Sequence, residues 1–223
     1  MPEKTTDIAD SKLWTVVNAI AIGPDRASQI SEQYKIAARK LNPEADDSKI
    51  EKIVSEKVIK KYAKTAALSG TVTALPGFLP GVGTAVAVVG GVVADAAVSL
   101  KLQMDMTLIL AANYGWDLTE QDARHMALLI SLCGGLEKLG EKAVTPVASK
   151  AGVRMLKMYL KGEALTAVKT LTAKFGVTFS RKALEKSIPF GIGAVLGGSV
   201  NYGLTRYVGR EAVKCFLIER EMA

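Results

Sequence analysis

The chain has one histidine (His125), two cysteines (Cys133 and Cys215) and only 6% aromatic residues. So few ligating side chains argue against a metal centre, and two cysteines allow one bridge at most, which excludes a disulfide-stapled scaffold. No CxxC, HExxH or EF-hand pattern occurs, and no cofactor is implied. Sustained alternation with a period of two is missing, so strands are not expected. Residues 1–12 are polar and lack the apolar core of a signal peptide, so the expected location is the cytoplasm. What the 223 residues do hold is aliphatic: 49% are hydrophobic, 23% are charged, and mean hydropathy is +0.20. That excludes a disordered chain.

The periodicity predicts an all-α protein. A helix capped by Ser11 carries Leu13, Val16, Val17 and Ile20 and stops at Gly23-Pro24. A second follows Asp25 and ends before Asn42-Pro43, because the residue before proline is pushed out of the α region. A third opens at Asp46-Asp47-Ser48, with Ile50, Ile53, Val54 and Val58 on one face. Its other face carries Lys49, Lys52, Lys57, Lys60, Lys61 and Lys64.

From Thr65 to Ala94 runs a 30-residue stretch without a charge, broken at Pro76-Gly77 and Pro80-Gly81. It reads as a short arm, a tight apolar turn and a second helix from about Val82 to Asn113. The first arm is short of the ~20 residues that span a bilayer, and the second holds Asp95, Lys101 and Asp105. A buried or membrane-dipping hairpin is therefore expected rather than two clean spans, since a carboxylate at the bilayer centre costs roughly 2.5–3.5 kcal/mol. Tyr114-Gly115-Trp116-Asp117 forms a turn, and Thr119 with Asp122 resembles a capping box for a helix through Met126, Leu129 and Ile130. Met155, Leu156 and Met158 among Arg154, Lys157 and Lys161 suggest a basic amphipathic helix. A second charge-free run, 187–205, ends at Arg206 and leads into a final helix with Val213, Phe216 and Leu217. The predicted organisation is an N-terminal helical extension over 1–45 and one domain over 46–223. That domain is a helical bundle around the Gly-rich hairpin (65–113) packed on a second Gly-rich helix (187–206).

The net charge is +7, and residues 137–186 alone hold 11 Lys/Arg against 4 Asp/Glu. Anionic headgroups are the expected partner of this stretch, through Lys157, Lys161, Arg181 and Lys182. A solvated helix face is the alternative. Nucleic acid is not expected, because only Tyr159, Phe175 and Phe179 are available there for stacking and no reading module is recognisable.

Catalytic patterns fail on inspection. Gly77 to Thr84 resembles a phosphate loop, but Gly83 stands where its lysine belongs and no strand leads in. His125 shares a helix face with Cys133 and lies near Ser131, yet no acid is placed to orient it. Asp117, Glu120 and Asp122 cluster where helix capping wants carboxylates anyway. No enzyme is expected.

The informative feature is a ridge of small residues. Counting in fours gives Gly83, Ala87, Gly91, Asp95, Ser99 and Gln103 in one apolar segment, and Gly193, Gly197, Asn201 and Thr205 in the other. Such spacing lets two backbones approach closely, in a soluble core or in a membrane. If the ridges cross in parallel with Gly91 near Gly197, Asp95 falls beside Asn201 and Ser99 beside Thr205. Arg206 or Arg124 then supplies the charge that a buried carboxylate needs.

Several local patterns resemble the EcsC protein family. They are Leu75-Pro76-Gly77, Asp95 in its apolar helix, Tyr114 to Asp117, Arg124, Pro189 to Ala194, Asn201 and Arg206 to Arg210. The likeness covers roughly 50–223 and leaves the first two helices outside. The family takes its name from a bacterial protein encoded beside the subunits of an ABC transporter, so the resemblance implies a helical, membrane-linked bacterial protein without defined catalytic residues. The combined expectation is a non-enzymatic protein at the cytoplasmic membrane, peripheral or partly inserted. Leu75, Pro76, Gly77, Phe78, Leu79, Pro80 and Val82 would enter the bilayer, and a second copy or a membrane protein is a further partner. The alternative is a soluble helical protein that binds a lipid-like ligand or docks a protein through its apolar hairpin.

Overall fold

A computed structural model describes residues 21–68, 91–120, 126–127, 129–131, 148–158 and 197–222. For 91–100, 155–158 and 197–200 the description is limited to the backbone. Helix accounts for 83% of the described residues and no strand is among them, so the chain is all-α. Five helices are named in chain order: α1 (Pro24–Leu41), α2 (Asp47–Leu68), α3 (Gly91–Asn113), α4 (Lys150–Met158) and α5 (Gly197–Met222).

Local chemistry sets their ends. Pro24 occupies the first turn of α1, where its missing N–H removes only an orphan donor. Asn42 closes α1 by donating from Nδ2 to Ala38 O at 2.9 Å. Asp46 caps α2, its carboxylate accepting from Lys49 N at 2.7 Å. Ser149 does the same for α4 toward Gly152 N at 3.0 Å. Helix α3 ends in a Schellman turn: Gly115 has φ +84°, its N–H reaches Ala112 O, and Trp116 N–H reaches Ala111 O at 3.0 Å.

Helix α3 is the centre of the bundle. Every residue from Lys101 to Ala111 is buried. It shows no amphipathic stripe, so burial requires neighbours on all sides. Helices α1, α2 and α5 pack on it, and α4 packs on α5. No helix among the described residues is long and apolar enough to cross a membrane. Helix α5 lies antiparallel to α2, since Glu51 meets Arg220 at one end and Ile59 meets Gly209 further along. It runs parallel to α3, since Met106 lies at Gly209 while Tyr114 stacks on Phe216 one to two turns on.

One expectation needs correction. The run ending at Arg206 and the final helix are one element: α5 continues unbroken for 26 residues from Gly197. No proline or cap interrupts it at 206, and Gly209 is retained because α2 and α3 close on it. A Cβ there would stand 2.7 Å from Ile59 Cγ1 and 3.1 Å from the Met106 sulfur. At the turn that follows, the Thr119 N–H and hydroxyl both donate to Asp117 Oδ1, at 2.9 and 2.7 Å. Those bonds hold the Asp117 carboxyl below its usual range. Asp122 lies outside the described residues.

The core also contains an ion pair. Lys101 and Asp105, one turn apart on α3 and each 2% exposed, bond directly to one another. Asp105 accepts a second bond from Ile22 N at 2.9 Å, which ties the entry of α1 to the central helix. Nearby, Thr107 Oγ1 and Ser131 Oγ lie 2.9 Å apart, and Ser131 donates to Ala127 O. Ser131 therefore serves the packing of 126–131 on α3. His125 and Cys133, its suggested partners, lie outside the described residues.

Candidate functional site

Antiparallel packing of α2 on α5 brings two ladders of side chains face to face. On α2 the ladder is Lys52, Glu56 and Lys60; on α5 it is Tyr202, Arg206, Arg210 and Lys214. Each member is four residues from the next, so each ladder occupies one helix face. Between them is a groove of about 760 Å³, floored by Ser55, Ile59, Val213 and Tyr114.

The groove is strongly cationic. Five cations face the single carboxylate of Glu56, and only Lys214 is neutralised, by Glu211 at 2.6 Å. Three positive charges therefore remain in excess on the walls. Lys52, Lys60, Arg206 and Arg210 have no ion-pair partner among the described residues. The Arg206 guanidinium lies 5.6 Å from the Tyr202 ring centre, a cation–π contact that orients its planar fork. Like charges on facing walls repel, so this arrangement favours an anion that enters between them.

A rigid polar frame supports one end. Arg220 on α5 forms a two-pronged pair with Glu51 on α2, at 3.0 and 3.1 Å, and also lies 5.5 Å over the Tyr114 ring. Ser55 Oγ sits 2.8 Å from Glu51 O and 3.2 Å from the Tyr114 hydroxyl, and accepts from Asn113 Nδ2 at 3.1 Å. Burial pushes the Tyr114 phenol above its ordinary pKa, partly offset by the Ser55 bond. The phenol is therefore protonated at neutral pH. Phe216 packs edge-on against Trp116, with centroids 5.0 Å apart, and secures the same corner. Among the described residues no three His, Cys, Asp or Glu side chains gather as a metal site.

The sequence-derived candidates distribute unevenly around this groove. Asn201 is buried, as expected for a ridge residue, and so is Thr205. Yet Asn201 Oδ1 and Thr205 Oγ1 find no hydrogen-bond partner among the described residues. Arg206 is half-buried on the groove wall rather than enclosed in the helix contact. Gly91, Asp95 and Gly197 lie on described helical backbone, without side-chain description for Asp95. Lys157 is on α4, likewise without side-chain description. Leu75, Pro76, Gly77, Phe78, Leu79, Pro80, Val82, Gly83, Ala87, Gly193, Lys161, Arg181 and Lys182 lie outside the described residues.

The groove is not visible in the distribution of charge along the chain. Residues 1–136 and 187–223, which contain its two walls, are each close to neutral as wholes although α2 itself is lysine-rich, and the cations of the two walls meet only in the folded bundle. The available signal was the spacing in fours of Lys52, Glu56 and Lys60 and of Tyr202, Arg206, Arg210 and Lys214.

The described structure is thus that of an all-α protein with a central helix buried from Lys101 to Ala111 and a cationic groove between two antiparallel helices. The chain belongs to the EcsC protein family, whose model matches residues 1–218. That match takes in the N-terminal residues 1–45, which the motif likeness over 50–223 leaves outside. No curated protein and no solved structure matches the chain.

Proposed function

We propose that this protein is a non-enzymatic, peripheral membrane protein of the cytoplasmic side that binds anionic bilayers. The observation that carries this reading is the α2–α5 groove, with its excess of three positive charges over an apolar and aromatic floor. Each Lys or Arg near an anionic surface contributes about 1 kcal/mol, so several acting together suffice for measurable association. The charge-free sequence around Leu75 to Val82 adds an apolar anchor, and Lys157, Lys161, Arg181 and Lys182 extend the electrostatic contact.

Flotation of the purified protein with phosphatidylcholine vesicles, with and without 30% phosphatidylglycerol, tests the reading. Flotation on the anionic vesicles alone, resistant to high salt, is expected if the apolar segment inserts; loss at high salt leaves the cationic surfaces as the anchor. Absence of flotation in every condition overturns membrane binding. The apolar groove floor favours a second reading, a soluble protein that holds a lipid-like ligand, which predicts a detergent-free monodisperse protein and no flotation.

A further inference from the structure

We infer that the α2–α5 groove binds a phosphomonoester joined to an apolar body, an assignment that rests on the reading of the groove as an anion-binding surface. Charge selects the monoester. A phosphomonoester carries about −1.5 to −2 at pH 7, whereas a carboxylate or phosphodiester carries −1, and the walls hold three positive charges in excess. Geometry points the same way. Arg206 and Arg210 stand one turn apart on a single wall, and guanidinium forks match phosphate oxygens in pairs. Arg206 is already oriented by Tyr202, with 5.6 Å between guanidinium carbon and ring centre. Lys60 lies opposite them, because the antiparallel register that sets Ile59 at Gly209 places Lys60 at the same level.

Size and lining describe the rest of the ligand. The groove's 760 Å³ is far more than phosphate alone requires, and falls within the ~300–1,000 Å³ typical of organic-ligand pockets. Ile59, Val213 and the two tyrosine rings give it an apolar floor. The Tyr114 hydroxyl adds a polar group to this floor, 3.2 Å from Ser55 Oγ. Glu56 is the one wall acceptor and suits a ligand hydroxyl.

The same chemistry is offered by a lipid headgroup and by a free phosphorylated metabolite, so the test uses both. Isothermal titration calorimetry of the full chain would compare inorganic phosphate, sn-glycerol 3-phosphate and dihexanoyl phosphatidate below its micelle concentration. Saturable binding of at least one monoester is expected. Arg210→Gln should weaken it about tenfold or more, the scale of one charge-assisted hydrogen bond. Lys40→Gln, at an exposed α1 position outside the groove lining, should leave it unchanged. Phosphatidate binding without glycerol 3-phosphate binding, or clearly tighter than it, upholds the site, and equal binding of the two overturns the apolar body. If Arg206→Gln fails to fold, judged by circular dichroism, Arg210→Gln and Lys60→Gln decide the matter, since both positions are exposed. No heat with any probe, or binding that survives Arg210→Gln with Lys60→Gln, overturns the assignment. Vesicle flotation separates the two levels: flotation without monoester binding sinks this inference alone, and monoester binding without flotation sinks the membrane reading alone.

Discussion

Removing one member of the Lys101–Asp105 pair should be among the most damaging changes this fold can undergo. Both side chains are 2% exposed, so neither recovers its hydration when the other is lost. In Lys101→Met, Asp105 keeps only the Ile22 N–H as a partner. An unpaired buried charge of this kind costs about 3–5 kcal/mol, a large share of the 5–15 kcal/mol that holds a typical domain together. Replacing both residues, as Lys101→Met with Asp105→Leu, removes the charges together. Such swaps are about neutral or stabilising by 1–4 kcal/mol, here offset by roughly 1–3 kcal/mol for the Ile22 N–H left without an acceptor. The double variant should therefore lie within about 2 kcal/mol of the parent, and the coupling energy should exceed about 2 kcal/mol. Urea unfolding followed by circular dichroism gives all four corners of the cycle.

The pair also predicts a pH dependence. Burial is the largest influence on Asp105 and raises its pKa above the ordinary carboxylate value, with Lys101 pulling it back down. Removing Lys101 leaves burial less opposed, so the folded state holds the proton more tightly than the unfolded state does. Stability of Lys101→Met should then rise as pH falls from neutral toward the ordinary carboxylate range, and be lost again as pH rises through the elevated value. Single variants that cost under 1 kcal/mol, add simply, and show no such pH response would refute the buried pair.

Three further outcomes probe the packing. Gly209→Ala should destabilise by up to about 2 kcal/mol, a balance of overpacking against Ile59 and the helix propensity gained. In an Ile59→Ala background the same change should become stabilising, and thermal unfolding of the four proteins reads the reversal. Thr205→Val should raise stability by about 1 kcal/mol, because the hydroxyl it removes is buried and has no partner among the described residues; a loss of that size would instead reveal a partner such as Ser99. Gly115→Ala should cost about 1–2 kcal/mol, since φ +84° suits glycine, and a neutral result in a melting experiment would contradict the Schellman turn.

Helix ends were legible in the sequence wherever a local signal dictates them. Pro24, Asn42 ahead of Pro43, Asp46 and Gly115 act within a turn of their own position, and the helices begin and stop beside them. The face of α2 was legible too: Ile50, Val54 and Val58 are buried while the lysines at 49, 52, 57, 60, 61 and 64 are exposed. What resisted reading depends on which faces meet. Lys101 and Asp105 read as obstacles to a membrane span, although their spacing of four already allowed a pair. The continuity of α5 through Arg206 follows from burial of Gly209 against two other helices, which no local pattern announces. The groove needed the antiparallel pairing of α2 with α5, so its cations could not be summed along the chain.

The most direct measurement is vesicle flotation with two charge-reversed proteins, one altered at Arg206 and Arg210, the other at Lys157, Lys161, Arg181 and Lys182. Vesicles would contain 30% phosphatidylglycerol at low salt. Arg206→Glu with Arg210→Glu, folded by circular dichroism, should lose most of its flotation, and the second set should lose a smaller part. Flotation unchanged by reversal of the groove pair would contradict the account.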